Sequence, residues 1–271
     1  FNMEVAKVGV GVDPETDCIA KYELDNLTIW DTPGLGDGVE NDERITRDII
    51  RKLNELGEDL NPLIDMVVVI LDASSKDLRT SYDLINKVLI PCLGEEAAKT
   101  RILIALNQSD IAMKGNHWNN EKNEPDEILK EFLKKKADSV QHRIKEGTGL
   151  DIKPICYCAG YKEEGREQRK PYNLTKLLYY IVKAIPKDKR LALADNINDD
   201  KDNWLYDDKE EDYRGGTKIG FCDTVWDYLS DGASAGCEIG GEILGIPGKI
   251  VGGVIGGAVG AIKGVFCGIF G

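Results

Sequence analysis

Two short segments contain residues whose types and spacing could bind a nucleotide. The first, Asp31-Thr32-Pro33-Gly34, follows an apolar stretch and opens a glycine-rich loop. An aspartate at the end of a strand can hold Mg²⁺ through a water molecule, and a glycine N–H can approach a terminal phosphate oxygen. Because many strand-to-loop turns contain such a pattern, it predicts a phosphate-sensing loop only together with a second signal.

The second segment, Asn107-Gln108-Ser109-Asp110, follows the apolar run 101–106. A carboxylate at its fourth position can accept hydrogen bonds from both N1–H and the exocyclic amine of guanine, a pairing that adenine does not offer. The segment therefore favours GTP over ATP. A third run, 152–157, ends in Cys158-Ala159-Gly160, where small residues could bring a backbone N–H to guanine O6.

Together, these three loops resemble those of Era/TrmE-like GTPases, most closely the bacterial 50S ribosome-binding GTPase type. The segments that carry the resemblance are 8–16 (VGVGVDPET), 30–38 (WDTPGLGDG) and 106–110 (LNQSD). The resemblance covers residues 1–190 and implies a Ras-like α/β sheet with flanking helices. It also implies binding of GTP and GDP, Mg²⁺ as the cofactor, and hydrolysis of GTP.

The resemblance assigns roles to individual residues. It makes Asp31 the water-mediated Mg²⁺ contact, Gly34 the γ-phosphate sensor, Asn107 and Asp110 the guanine readers, and Ala159 the O6 contact. Further nucleotide-binding candidates in the same loops are Thr32, Pro33, Gln108 and Cys158.

Several positions depart from the family pattern. Gln108 stands where the family usually has Lys, whose stem covers the base. Leu35 stands where Ras-type enzymes place the Gln that orients the attacking water. With Gly34 and Leu35 as the catalytic positions, we expect slow hydrolysis. Thr16 is the one nearby hydroxyl for the first switch and is the predicted second Mg²⁺ ligand.

The phosphate-binding loop GxxxxGK[ST] does not occur in the 271 residues. That loop holds the α- and β-phosphates and supplies a Lys and a Mg²⁺-binding hydroxyl. We therefore expect the strand, loop and helix that contain it to lie upstream of Phe1, and this chain alone to be inactive. The alternative is a degenerate GTPase. In the family's sheet the missing strand would lie between the strands predicted at 27–31 and 65–71.

Hydrophobic periodicity predicts alternating strands and helices, the pattern of a parallel α/β sheet. The predicted strands are 18–24, 27–31, 65–71, 101–106 and 152–157. Three helices are predicted, of which the first stops at Gly57, the second starts at Pro125 and the third ends at Pro186. Their apolar stripes are Ile45, Ile49, Leu53 and Leu56; Ile128, Phe132, Leu133, Val140 and Ile144; and Leu174, Leu177, Leu178, Ile181 and Ile185.

Composition narrows the class of protein. A net charge of −13 argues against sequence-independent binding to nucleic acid. The seven cysteines show no disulfide framework, so free thiols in a cytoplasmic protein are expected.

The carboxyl-terminal third changes character twice. Residues 195–214 contain nine acidic residues against three basic ones, which predicts a solvated linker over 191–217, with docking of Trp204 and Tyr206 as the alternative. Residues 218–271 form a hydrophobic tail that resembles a glycine zipper and is predicted to be a helical hairpin. Its stripe consists of Gly248, Gly252, Gly256, Gly260, Gly264 and Gly268.

Fourfold glycine spacing lets two helix backbones approach closely, as in membrane helix pairs. We expect the tail to insert into or lie on a membrane, or to self-associate. The alternatives are a hairpin packed on the soluble domain, or disorder. The sequence therefore predicts a slowly hydrolysing GTP switch with a membrane-associating or oligomerising tail. The alternative is a non-enzymatic glycine-zipper or membrane-perturbing protein with a vestigial GTPase domain.

Overall fold

The computed structural model describes residues 18–24, 26–36, 38–58, 60–161, 169–194, 196–198 and 200–234, with side chains as far as Asp223 in the last helix. Thr16, the segment 8–16 and the glycine stripe 248–268 lie outside these residues. Within them the chain is a mixed α/β structure that contains a parallel sheet, which confirms the predicted fold class at that level.

The amino-terminal elements form an antiparallel hairpin of β1 (Ala20–Leu24) and β2 (Leu27–Asp31). Ala20 pairs with Asp31 and Leu24 with Leu27. Asn26 has φ 57°, the left-handed conformation that a two-residue hairpin turn requires. Both predicted strands are confirmed, and the second has the predicted bounds.

The parallel sheet has the order β3 (Val67–Asp72), β4 (Ile102–Asn107) and β7 (Ile155–Cys156). Strand β4 lies in the middle and is buried on both faces from Ile102 to Leu106, because its residues are apolar without alternation. Among the described strands, β3 pairs with β4 and β2 pairs with β1. On β3, Val68 and Ile70 are 39% and 61% exposed, so one face of that strand is uncovered.

Helix α1 (Val39–Leu53) packs Ile45 and Ile49 into the core. The prediction that its stripe continues to Leu56 is wrong, because the helix ends at Leu53 and Leu56 is 55% exposed. Beyond the helix the chain turns back on itself, with the Leu63 N–H donating to the Glu55 carbonyl at 2.9 Å.

A helical stretch that the sequence analysis did not predict connects β3 to β4. It consists of α2 (Arg79–Leu84), a π-helical turn (Ile85–Leu89), α3 (Ile90–Leu93) and α4 (Glu95–Arg101). Ile85, Leu89 and Ile90 are buried in the main core. This stretch supplies the crossover that parallel pairing of β3 and β4 requires.

The long helix α5 (Glu127–Thr148) follows a short antiparallel pair, β5 (Trp118–Asn119) and β6 (Glu124–Pro125). It begins after Asp126, whose carboxylate accepts from the Leu129 N–H at 2.9 Å. Leu133, Val140 and Ile144 are buried as predicted, but Ile128 is 56% exposed. Leu129 is the residue that enters the core, one position along the helix.

The carboxyl-terminal helices form a second core. Helices α6 (Leu174–Ala184), α7 (Arg190–Ala194) and α8 (Tyr213–Ser234) enclose a cluster that includes Leu178, Val182 and Phe221. The predicted boundary between linker and tail at residue 217 falls inside α8, which is one continuous helix. In the described part of the chain, none of the helices has both the length and the apolar character needed to cross a membrane.

The acidic segment before α8 is exposed over much of its length but is anchored to the domain at several side chains, with Trp204 docked as the alternative prediction has it. Trp204 is 7% exposed, and its indole Nε1 donates to the Asn198 carbonyl at 2.8 Å. The Asp208 carboxylate accepts from Lys176 Nζ on α6 at 2.6 Å. The negative charge that suggested solvation is thus partly neutralised by a lysine more than thirty positions earlier in the chain.

Candidate functional site

The carboxyl ends of β4 and β7 bring the predicted guanine loops together. The Tyr157 N–H donates to the Leu106 carbonyl at 2.9 Å, and the Ser109 N–H donates to the Tyr157 carbonyl at 3.2 Å. These bonds extend the parallel pairing past the last strand residues. The segments 107–110 and 158–159, separated by about fifty residues of sequence, therefore lie side by side.

Asn107 joins the two loops directly. Its Oδ1 accepts from the Ala159 N–H at 3.1 Å. The sequence analysis assigned that N–H to guanine O6, and here it is already bonded within the protein. Asn107 thus acts on the position of the Ala159 loop as well as being a predicted guanine reader.

The turn after Asn107 directs Asp110 back towards the sheet. Gln108 has φ 62°, and the Ile111 N–H donates to its carbonyl at 3.2 Å, closing the turn. Ser109 is fully buried, and its hydroxyl donates to the Leu106 carbonyl at 3.4 Å. The Gln108 side chain is exposed, where it could lie over a bound base.

Asp110 is the most enclosed acid of the site, with a side chain 9% exposed. It lies beside Cys158, which is itself buried. Burial, together with the hydrogen bond to the Asp110 carboxylate, raises the pKa of the Cys158 thiol to about 12. The thiol therefore stays protonated at neutral pH beside the Asp110 carboxylate.

A backbone ladder supports the loop that contains Ala159. Cys158 and Tyr172 exchange two backbone hydrogen bonds of 3.0 and 2.9 Å, and Tyr161 pairs with Arg169. Gly160 lies between these pairs with φ +79°, and a Cβ there would lie 2.6 Å from the Arg169 carbonyl oxygen. Only glycine fits this position without a shift of the backbone.

Three further residues contribute to the site and were missed by the sequence analysis. The Asn173 amide donates to the Cys156 carbonyl at 2.9 Å and supports the end of β7. Arg169 contacts Asp110, with 3.3 Å between Nη1 and Oδ2. Asp72 ends β3 opposite Asn107 and accepts from the Ser74 N–H at 2.7 Å. Only Asp72 had a sequence signal, since it too follows a buried apolar run.

Beside Asp72, helix α5 places Lys136 Nζ against the Ser75 carbonyl. Burial lowers the pKa of Lys136, and the nearby Asp72 carboxylate partly opposes that change. A cation of reduced basicity thus lies next to the carboxyl end of β3.

The predicted phosphate-sensing loop lies at the end of the separate hairpin sheet. Asp31 ends β2, Thr32 and Gly34 are exposed, and Pro33 is buried. Leu35 is half-buried and packs against the main core. The Gly36 N–H donates to Asp42 Oδ1 at 2.8 Å, which ties the loop to the first turn of α1.

The described residues contain no group of three or more His, Cys, Asp or Glu side chains close enough to hold a metal ion. Asp31 supplies one oxygen-bearing ligand of the kind that Mg²⁺ prefers. The assignment of Mg²⁺ to Asp31 and Thr16 stays a prediction.

Comparison of the chain with protein-family profiles, with curated proteins and with solved structures gave no match.

Proposed function

We propose that this protein is a GTP-binding molecular switch. One observation carries the proposal: Asn107 is bonded to Ala159 while Asp110 lies beside Cys158, all at the carboxyl ends of adjacent parallel strands. Ligands of open α/β sheets bind at this edge. The resemblance in sequence assigns the same residues to guanine.

Asp110 gives the proposal its nucleotide selectivity. An ionised carboxylate offers only acceptors, and the N1–H and N2 amine of guanine offer two adjacent donors. Adenine presents an unprotonated N1 at the corresponding place, so it would leave a carboxylate lone pair facing a lone pair. A buried polar group left without its partner costs binding free energy, which is the basis of the discrimination.

The loop from Asp31 to Leu35 is proposed as the nucleotide-sensing switch. Gly34 is exposed and has open space at its Cα, so its N–H can approach a terminal phosphate. When bound, Mg²⁺ would be held by Asp31 through water and would neutralise phosphate charge. Leu35 cannot orient an attacking water, which is consistent with slow hydrolysis.

The pairing of the described strands is compatible with a further strand that would lead into a phosphate-binding loop. The resemblance predicts a strand between β2 and β3, and among the described strands these two do not pair with each other. The side chains of Val68 and Ile70 are also exposed, so one face of β3 is uncovered. A further strand and helix are therefore compatible with this part of the sheet.

A second candidate function is a non-enzymatic interaction protein with a glycine-zipper tail. The observation that favours it is the absence of GxxxxGK[ST] from the 271 residues. In that case the base-binding loops would be vestigial and neither GTP nor GDP would bind.

The substitution Asp110→Asn tests the proposal. Because an amide presents a donor where xanthine has an acceptor, Asp110→Asn is expected to lose GTP binding and to gain XTP binding. Nucleotide competition among GTP, XTP and ATP measures the change. Asp151→Asn, an exposed carboxylate that pairs with Lys145, serves as the matched control and is expected to keep GTP preference. Equal GTP affinity in the wild type and Asp110→Asn would rule out the assignment.

A further inference from the structure

The guanidinium of Arg169, a residue of the backbone ladder beside the Ala159 loop, contacts Asp110, which is a predicted guanine reader. Arg169 Nη1 lies 3.3 Å from Asp110 Oδ2, and the two residues are 59 positions apart in sequence. Arg169 is anchored by its backbone, since its N–H donates to the Tyr161 carbonyl at 2.8 Å. The side chain itself is 58% exposed, whereas that of Asp110 is 9% exposed.

The contact uses the same chemistry as guanine recognition. A guanidinium presents planar N–H donors to a carboxylate, as do the N1–H and N2 amine of guanine. Guanine needs both carboxylate oxygens, and one of them, Oδ2, faces Arg169. The base and the Arg169 head group would therefore contend for one acceptor.

We propose that Arg169 is an affinity-determining residue that occupies the guanine-binding edge of Asp110 while the site is empty. The inference rests on the proposed GTP-binding function and adds to it a residue that limits affinity for the base. When a guanine nucleotide binds, the Arg169 head group moves into solvent and gives up Oδ2.

The geometry favours displacement over a shared arrangement. The contact is a single hydrogen bond of 3.3 Å, longer than usual for a charged pair, rather than a bidentate pair. An ion pair with one largely exposed partner contributes little free energy, so guanine can displace it. Competition from Arg169 should therefore weaken guanine binding only modestly, by about twofold to fivefold.

The first experiment compares the GDP affinity of Arg169→Ala with that of the wild type. Loss of the competing guanidinium is expected to tighten GDP binding by about twofold to fivefold at low salt. The advantage should shrink as salt rises, because ions screen the Arg169–Asp110 attraction in the wild type. Lys170→Ala is the matched control: it removes the same charge one residue away, where the lysine faces Asp202 and the Tyr206 ring. Its GDP affinity is expected to equal that of the wild type.

A second measurement examines the ion pair without nucleotide. Urea unfolding of Arg169→Ala, Asp110→Asn and the double variant forms a cycle, and a non-additive double variant is expected because the two side chains interact. Additive effects, or GDP binding by Arg169→Ala that equals or falls below that of the wild type, would overturn the inference while GTP binding itself stands. A coupled cycle in a protein that binds no guanine nucleotide would instead overturn the proposed function, and with it the role given to Arg169.

Discussion

At the residue scale, Gly160 restricts the backbone of the loop that contains Ala159. Its φ of +79° strains any larger residue, and the 2.6 Å approach of the Arg169 carbonyl to a built Cβ leaves no room for one without a backbone shift. The ladder on either side of Gly160 holds Ala159 next to Asn107 and Arg169 next to Asp110. A change at this one glycine should therefore reach both proposed base contacts.

Gly160→Ala is expected to destabilise the protein more than Gly149→Ala. Gly149 has a similar φ of +77° but nothing within 4 Å of a built Cβ, so the control has only the backbone strain of about 1 kcal/mol. The steric term should add about 1 kcal/mol or more at Gly160. Urea unfolding measures both variants, and equal losses would show that the approach of the Arg169 carbonyl is unimportant.

At the element scale, a buried ion pair fastens the acidic segment to helix α6. Lys176 donates to Asp208 at 2.6 Å and to Glu210 at 2.8 Å, and the Tyr213 hydroxyl donates to Asp208 at 2.7 Å. The side chains of Lys176 and Asp208 are 11% and 17% exposed. Asn173, which supports β7, also donates to Asp208 at 3.1 Å. The start of α8 is thus connected by hydrogen bonds to the end of β7.

Both pKa values at this pair follow from the hydrogen bonds. Burial alone would raise the pKa of Asp208, but bonds from Lys176 and Tyr213 outweigh burial and hold it below the usual value. Burial alone would lower the pKa of Lys176, but the bonds to Asp208 and Glu210 raise it. The Asp208 contribution to stability is therefore complete above a pH of about 4 and is lost as pH falls through the depressed value. The Lys176 contribution is complete below a pH of about 10.5 and is lost as pH rises beyond it.

Asp208→Asn is expected to lower the free energy of unfolding at pH 7 by about 3 kcal/mol, because it leaves a buried lysine without its main partner. The variant should also lose less stability than the wild type between pH 5 and acid conditions. Urea unfolding across that range measures both effects. Asp151→Asn, at an exposed pair with Lys145, is the control and should leave the free energy of unfolding unchanged. A wild-type-like acid limb in Asp208→Asn would contradict the assigned pKa direction.

At the scale of the whole molecule, the described structure joins two apolar cores, and the second leads into the glycine-rich tail. Phe221 of α8 is part of that second core, and its exposed fraction is 0%. Because α8 packs here, the start of the tail has a definite position relative to α6. What the glycine stripe beyond it contacts stays a prediction from sequence.

Glycine-to-leucine exchange on the stripe tests how the tail acts. If Gly252 and Gly256 let helices pack closely, replacing both with Leu should abolish self-association and leave or strengthen partitioning into lipid. The control replaces Gly253 and Gly257 with Leu, which gives the same gain in helix propensity on another face of a helix. Cross-linking and liposome flotation measure the two properties. Lower stability of the α/β domain in the Gly252/Gly256 double variant alone would favour a hairpin packed on that domain. If the intact protein never associates with liposomes or with itself, the membrane and oligomer readings fail together.

The sequence by itself determined where most strands end, since the predicted runs 65–71 and 101–106 form Val67–Asp72 and Ile102–Asn107. The predicted run 152–157 forms a strand only at Ile155–Cys156. Runs such as 27–31 and 101–106 are apolar and end in turn-forming residues, and these local properties suffice to predict where a strand stops. Parallel strands then place their carboxyl ends at one edge, so proximity of Asn107–Asp110 to Cys158–Ala159 could also be predicted. Whether those loops bind guanine stays a prediction.

Tertiary structure alone decided the contacts between distant side chains. The acidic segment contacts α6 where Asp208 meets Lys176, and Arg169 contacts Asp110 from 59 positions away in the sequence. Such pairs have no local sequence signal, since their free energy depends on burial and distance, and both exist only after the elements have assembled.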